Sequence, residues 1–250
     1  MSATETDLAV ARMAFFAAAF LRDDQVAFVG IGTPGLAAML AQRTHAPRMT
    51  LIFESGVIGA RPDRLPLSTG SPAAARGADM LSDMLAVFST LQRGEIDVGL
   101  LSGAEVDLHG NLNSTSLGPR DEPTLLLPGS GGAHDIAVLA RRTVIVMPHD
   151  PRRFVRRVAH VTSPGYLDGG GERARAGLTG GPDAVVTSEA VFTFEDECLT
   201  LSAVLEGRTA DSALEGFSIP VRRRDELRRL SPPDNSIVEL VGQWTSEEHK

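Results

Sequence analysis

VAFVGIGTPGLAAMLAQRTHAPRMTLIFESG, residues 26 to 56, is the stretch that decides the fold. Val26 to Gly30 is a short β-branched and aromatic run, the signature of a strand buried on both faces. A glycine turn follows, and Thr33 to Arg43 reads as a helix with Thr33 as its cap and Pro34 in the first position. Thr50 to Glu54 is a second strand. Strand, glycine turn, helix and strand in this order open an α/β fold: an open, mostly parallel sheet flanked by helices. Glu54 then stands at the C-terminal tip of a strand, the edge where such sheets present ligands.

Working outward, SGVIGARPDRLP (55–66) is a glycine- and proline-rich loop in which no regular structure is expected. Residues 78–92 predict a helix with Met80, Leu81, Met84, Val87, Phe88 and Leu91 on one core-facing stripe. DVGLLSGAEVD (97–107) reads as the next strand. The strand-like runs 143–148, 160–164, 183–187, 190–196 and 198–205 crowd together, predicting antiparallel hairpins in the C-terminal third, where helices thin out. Composition is uniform along residues 1–250, so a single domain is expected. LAVARMAFFAAAFL (8–21) is read as a buried N-terminal helix. Glu5 and Asp7 stand where a leader wants positive charge, and the uninterrupted apolar run 13–21 is far shorter than the ~20 residues of a membrane span.

The chain has 42% hydrophobic but only 5% aromatic residues, so its core must be aliphatic, and 25 glycines and 15 prolines imply many tight turns. A net charge of −8 argues against nucleic acid as a partner, and no span is found that would place the chain in a membrane. Cys198 is alone, cannot close an internal disulfide, and points to a reducing, cytoplasmic setting. His45, His109, His134, His149, His160 and His249 never occur at i, i+2 or i, i+4, so no metal site is expected. The arginines at 152, 153, 156 and 157 and the run RRRDELRR (222–229) read as solvated helix faces or partner contacts.

Gly30, Gly32 and Gly35 form G-x-G-x-x-G after a strand, with Glu54 at the tip of the next. That geometry satisfies a dinucleotide fingerprint, in which backbone approaches a pyrophosphate and the acid accepts from a ribose hydroxyl. The same glycines equally serve a turn with positive φ and a helix packed tightly on its strand. The local pattern alone leaves both readings standing.

Four further segments bear on the choice: FESGVIGARP (53–62), GAEVDLHGNLNSTSLG (103–118), PGSGGAHDIA (128–137) and TSPGYLDGGGERARAGL (162–178). In order and spacing, from about residue 26 to about residue 196, they resemble the β subunit of glutaconate CoA-transferase, in the class I CoA-transferase family that also holds 3-oxoadipate CoA-transferase. Phe53, Glu54, Ser55 and Gly56 follow the glutaconate branch, since the 3-oxoacid branch carries S-E-N-G at this turn. The resemblance implies a class I CoA-transferase-like sheet whose first glycine turn holds no dinucleotide. A nicotinamide-dependent oxidoreductase becomes the remote alternative.

It also implies that Glu54 is the catalytic nucleophile, that a coenzyme A thioester is the substrate, and that no cofactor is permanently bound. A glutamate suits this chemistry because it is ionised at neutral pH and needs no general base. Gly129, Gly131 and Gly132 are candidates for a nest of N–H donors around a reacting carbonyl oxygen or the CoA chain, or else form a plain turn. Ser55, Gly56, Asn111 and Asn113 are candidates for substrate or CoA contacts, although asparagine-rich runs also build ordinary turns. An α subunit of the same enzyme is the expected partner, with acyl-CoA and short dicarboxylic acids such as glutaconate or 3-oxoadipate as substrates. A CoA-thioester lyase, decarboxylase or hydrolase on the same scaffold, and a non-catalytic partner chain, are the competing functions.

Overall fold

The structure, a computed structural model, describes residues 4–119 and 121–246. Helix α1 (Glu5–Ala18) starts at Thr4, whose side chain and that of Asp7 cap each other's backbone. Strand β1 (Val26–Val29), helix α2 (Thr33–Thr44) and strand β2 (Thr50–Phe53) form the opening unit. Two short strands, β3 (Val57–Ile58) and β4 (Met80–Leu81), precede helix α3 (Met84–Gln92) and strand β5 (Val98–Leu101). The next segment holds β6 (Glu105–Asp107), β7 (Leu112–Asn113), β8 (Ser116–Leu117) and β9 (Leu125–Leu126). Helix α4 (Ala133–Leu139), β10 (Thr143–Val146), β11 (Phe154–Val155) and the short α5 (Glu172–Arg175) follow. The chain closes with β12 (Pro182–Val186), β13 (Ala190–Glu195), β14 (Cys198–Leu205), α6 (Ala210–Ala213), β15 (Arg222–Leu230) and α7 (Asn235–Thr245).

The main sheet runs β15-β14-β13-β12-β10-β5-β1-β2-β3-β4. Its central block, β12-β10-β5-β1-β2, is parallel, and β12-β13-β14 is the antiparallel region expected in the C-terminal third. Successive strand residues face opposite layers: Ala27 and Val29 join the core under α1, α2 and α7, while Phe28 joins the core under α3 and α4. Fully burying a side chain such as Phe28 contributes about 1.5–3 kcal/mol, so the alternation pins the register of β1. Among the described residues no helix is long and apolar enough to cross a membrane.

Several local expectations need correction. Helix α2 begins at Thr33 itself, capped by Gly32 with φ 78°, because the chain must turn through the left-handed region before entering the helix. The loop after Glu54 is not wholly irregular, since Val57 and Ile58 fold back antiparallel on Phe53 and Ile52. The helix expected over 78–92 starts only at Met84, where the Asp83 side chain accepts from the Ala86 N–H at 2.8 Å. Met80 and Leu81 instead extend the sheet edge, and both, like Met84, are exposed rather than core. Residues 97–107 divide into β5 and β6, and residues 160–164 contribute one bridge, Leu112 to Ser163, not a strand. The arginine-rich run is an edge strand, β15, rather than a helix face.

Candidate active site

Glu54 is the first residue beyond β2, in the turn that reverses the chain into β3. The turn is tight: the Gly56 N–H donates to the Phe53 carbonyl at 3.1 Å. Gly56 has φ 110°, and a Cβ there would lie 2.5 Å from the Ser82 carbonyl oxygen, so only glycine fits. The Ser55 hydroxyl donates to the Thr69 carbonyl at 2.5 Å and ties the turn to the loop opposite. The half-buried Glu54 carboxylate is thereby held at a strand tip facing a cleft of about 270 Å³.

The cleft is lined by Gly30, Ile31 and Pro34 around the start of α2, by Leu101 at the end of β5 and Ser102 after it, by Ser68 and Thr69, and by Ser130, Gly131, Gly132, Ala133 and Ile136. Among the described residues Glu54 is the single charged side chain lining it. The Gly132 N–H, at the start of α4, donates to Glu54 Oε2 at 3.3 Å. A Cβ on Gly132 would lie 2.7 Å from that oxygen and 2.7 Å from Phe88 Cζ. Gly131, with φ 49°, lines the same cleft, and its N–H makes no hydrogen bond among the described residues. Gly129 has φ 91°, but its N–H is occupied by the Ser114 carbonyl at 2.8 Å, while its own carbonyl accepts from the Ser114 hydroxyl at 3.0 Å. Of the three glycines, Gly131 and Gly132 face the carboxylate and Gly129 anchors the loop behind them.

Asn111 and Asn113 are buried, and their amides are used within the fold. Asn111 donates to Asp107 and to the Leu167 carbonyl (2.8 Å) and accepts from the Gly165 (2.8 Å) and Leu167 (3.1 Å) N–H groups. Asn113 donates to Glu105 and to the Ser116 carbonyl and accepts from the Thr115 N–H. Their amide protons and carbonyl oxygens are engaged within the fold in this way, and neither residue lines the Glu54 cleft. Asp107 accepts from the N–H groups of His109, Asn111 and Val158, yet burial still pushes its pKa above the ordinary carboxylate value. Thr162 joins the network: its hydroxyl accepts from the Ser114 N–H, and its carbonyl lies 3.1 Å from His134 Nδ1. The motif segments, distant in sequence, therefore meet around one loop cluster.

A second depression, about 660 Å³, shares Glu54, Gly131 and Gly132 with the first and is walled by Met84, Leu85, Phe88 and Asp135. Sequence reasoning had Met84 and Phe88 as core and overlooked Ile31, Ser68, Thr69, Ser102 and Leu85. Ser102 was within reach, because it follows the tip of β5 as Glu54 follows that of β2. Ser68 and Thr69 carry no local signal and reach the cleft by a long fold-back.

Gly32 makes the turn, and a Cβ on Gly35 would approach the Gly30 carbonyl to 3.1 Å. Among the described residues no group of three His, Cys, Asp or Glu side chains is placed to hold a metal, and His249 lies outside those residues. Cys198 opens β14, half-buried, as expected of a strand position. Arg152 pairs with Asp150 and Arg157 with Asp168 at the surface.

Comparison with known proteins adds three findings. The family model for coenzyme A transferase matches residues 10–212. The B-type subunit of 3-oxoadipate CoA-transferase from Pseudomonas knackmussii is 38% identical over 233 residues, covering 92% of this chain and 90% of that one, and the B-type subunit of glutaconate CoA-transferase from Acidaminococcus fermentans is 34% identical over 232 residues, covering 88% and 86%. The crystal structure of the Acidaminococcus glutaconate coenzyme A-transferase superposes with a TM-score of 0.87 at 29% identity, over 96% of this chain and 95% of that one.

Proposed function

This chain belongs to the coenzyme A transferase family, and from that premise we propose that it is the β-type subunit of an enzyme that moves CoA between carboxylic acids through a glutamyl-CoA thioester on Glu54. The observation that carries the reading is the placing of Glu54: a carboxylate at a strand tip, in an otherwise uncharged cleft, with a backbone N–H donated to Oε2.

In the first step the Glu54 carboxylate attacks the acyl-CoA carbonyl. A C–O bond forms, the C–S bond breaks, and CoA leaves as the thiolate, so that a mixed anhydride of Glu54 and the acyl group remains. The thiolate then attacks the Glu54 carbonyl of that anhydride, releasing the donor acid and leaving glutamyl-CoA. The acceptor carboxylate reverses both steps, ending with new acyl-CoA and a free Glu54. Each attack places negative charge on a carbonyl oxygen. The unbonded Gly131 N–H and the Gly132 N–H are the donors nearest that charge, and in a dry site one such donor contributes ~2.7–4 kcal/mol. The neutral walls keep water from the activated acyl groups. Short dicarboxylic acids, the class named for the relatives, are the proposed substrates, and an α subunit is the proposed partner. A cytoplasmic complex suits the lone thiol. A lyase, decarboxylase or hydrolase on the same scaffold has no need of a carboxylate nucleophile, so Glu54 favours transfer.

The test is direct. The complex of this chain with its α partner is incubated with acyl-CoA and no acceptor, digested, and the peptides weighed. CoA should be found on the peptide holding Glu54, and Glu54→Gln should lower turnover by about three orders of magnitude or more, as loss of a nucleophile does. An adduct on another residue, or normal turnover of the variant, refutes the assignment.

A further inference from the structure

Residues 59–79 leave the sheet after β3 and return to it at β4. The two ends are tied together, with Asp79 N–H donating to the Ile58 carbonyl (3.0 Å) and Arg61 N–H to the Arg76 carbonyl (3.0 Å), so the segment forms a closed strap. Its tip faces two ways. On the inner side Ser68 and Thr69 line the Glu54 cleft, and the Thr69 carbonyl accepts the Ser55 hydroxyl. On the outer side the Leu65 N–H donates to the Trp244 carbonyl in α7 at 3.1 Å, and a crevice of about 250 Å³ lies between Leu65, Leu67, Pro72 and Trp244. Ala60 and Ala74 of the strap are buried in the same apolar cluster as Val241 and Trp244.

Within itself the tip is held by a string of local turns, Ser71 N–H to Ser68, Ala74 N–H to Ser71 and Gly70 N–H to the Ser68 hydroxyl, with no ladder to set its distance from Glu54. Its position has to come from what it leans on. Trp244 is the single tryptophan of the sequence, is 5% exposed, and sits in a helix outside the residues matched by the family model. We propose that α7, acting through Trp244, is a positioning element for the catalytic wall: it fixes the strap, the strap fixes Ser68 and Thr69, and Thr69 fixes the Ser55 side of the Glu54 turn. The inference rests on the reading of Glu54 as the reacting group.

The experiment uses the full complex with Trp244→Ala, Trp244→Phe and Leu67→Asp. The last places a charge in the crevice at an exposed position, so it tests the contact even where loss of the indole unfolds the chain. Two quantities are read: hydrogen exchange of the peptides covering 53–57 and 61–79, and KM and kcat for CoA transfer. A positioning role predicts exchange about tenfold faster in both peptides for Trp244→Ala and Leu67→Asp. It also predicts KM raised about tenfold, together with whatever loss of kcat the displaced Glu54 turn brings, and recovery of both in Trp244→Phe. A helix that merely stabilises the chain would lower kcat through loss of active molecules and leave KM unmoved, and that result overturns the proposal. So does unchanged exchange at 61–79 in Leu67→Asp. If the wild-type complex transfers no CoA, the enzymatic reading falls while the exchange data still decide whether α7 holds the strap.

Discussion

Gly132 has an ordinary helical φ of −79°, so its need for glycine comes from space and not from backbone conformation. A methyl group there would press on Glu54 Oε2 and Phe88 Cζ, both at 2.7 Å. Gly131 is the opposite case: φ is 49°, and nothing lies within 4 Å of its would-be Cβ. Of the two, Gly131 is the one that uses positive φ. The two alanine variants should separate accordingly. Gly132→Ala displaces the carboxylate, and a misplacement on the order of 1 Å costs ~10²-fold in turnover with little change in Tm. Gly131→Ala forces a side chain into the left-handed region, at about 1–2 kcal/mol of stability. Steady-state transfer beside thermal unfolding of both variants checks this, and equal losses of activity and stability in Gly132→Ala would count against the contact with Glu54.

At the scale of elements, the site depends on how α4 is held, and Arg173 of α5 is central to that. The residue is 2% exposed, and its guanidinium donates to the carbonyls of Thr179, Gly180, Pro164, Gly165 and Ala137. Burial lowers its pKa, yet a guanidinium keeps its charge, and the carbonyl dipoles take the place of water. Ala137 lies in the last turn of α4, where a cation is favourable, so Arg173 grips the far end of the helix whose start meets Glu54. Arg173→Met should cost about 3 kcal/mol or more in urea unfolding, because buried carbonyls lose their donors. Arg173→Lys should not rescue it, since one ammonium cannot reach a fork's set of acceptors. Near wild-type stability of either variant would contradict this account. None of this grip was legible in the sequence, where Arg173 is one residue of a glycine-rich motif. What was legible was local: the period of β1 and β2, the start of the glycine turn, the bounds of β14, and Glu54 at a strand tip. The expected helix over 78–92 failed because a helical stripe shows which residues share a face but not what covers that face. Here Asp83 caps a later start and the strand edge takes Met80 and Leu81. Asn111 and Asn113 were harder to read, because a turn and a ligand contact use the same residue type at the same spacing.

On the scale of the whole molecule, the thinning of helices in the C-terminal third raises the question of what covers the strands after residue 140. Strands β10, β12, β13 and β14 are covered within the chain, by α1 and α7 on one face and by Phe154, Ala213 and Phe217 on the other, and the charged edge strand β15 stays exposed. The uncovered apolar surface is elsewhere. Met80, Leu81, Met84 and Leu85 are exposed, Leu81 by 68% and Leu85 by 77%, and Met84 and Leu85 wall the depression that opens on Glu54. Large apolar side chains clustered at one rim are costly to leave in water and mark an interaction site. The relatives are each named as one lettered subunit of a larger enzyme, so the expected occupant is the α subunit, seated where it also closes the cleft. An obligate interface of this kind buries more than ~2,000 Å², with a few apolar anchors dominating. The chain expressed alone should therefore self-associate and transfer no CoA, and co-expression with the α subunit should restore a defined complex and activity. The double variant Leu81→Glu with Leu85→Glu should reverse the first behaviour and block the second. The charges make the isolated chain more soluble, and loss of two anchors at about 2 kcal/mol each weakens assembly ~10²–10³-fold. Because both side chains are solvent-exposed, Tm of the isolated chain should change little. Sedimentation of the mixed subunits and a transfer assay read the outcome, and a double variant that assembles and turns over like the parent would place the partner on another face.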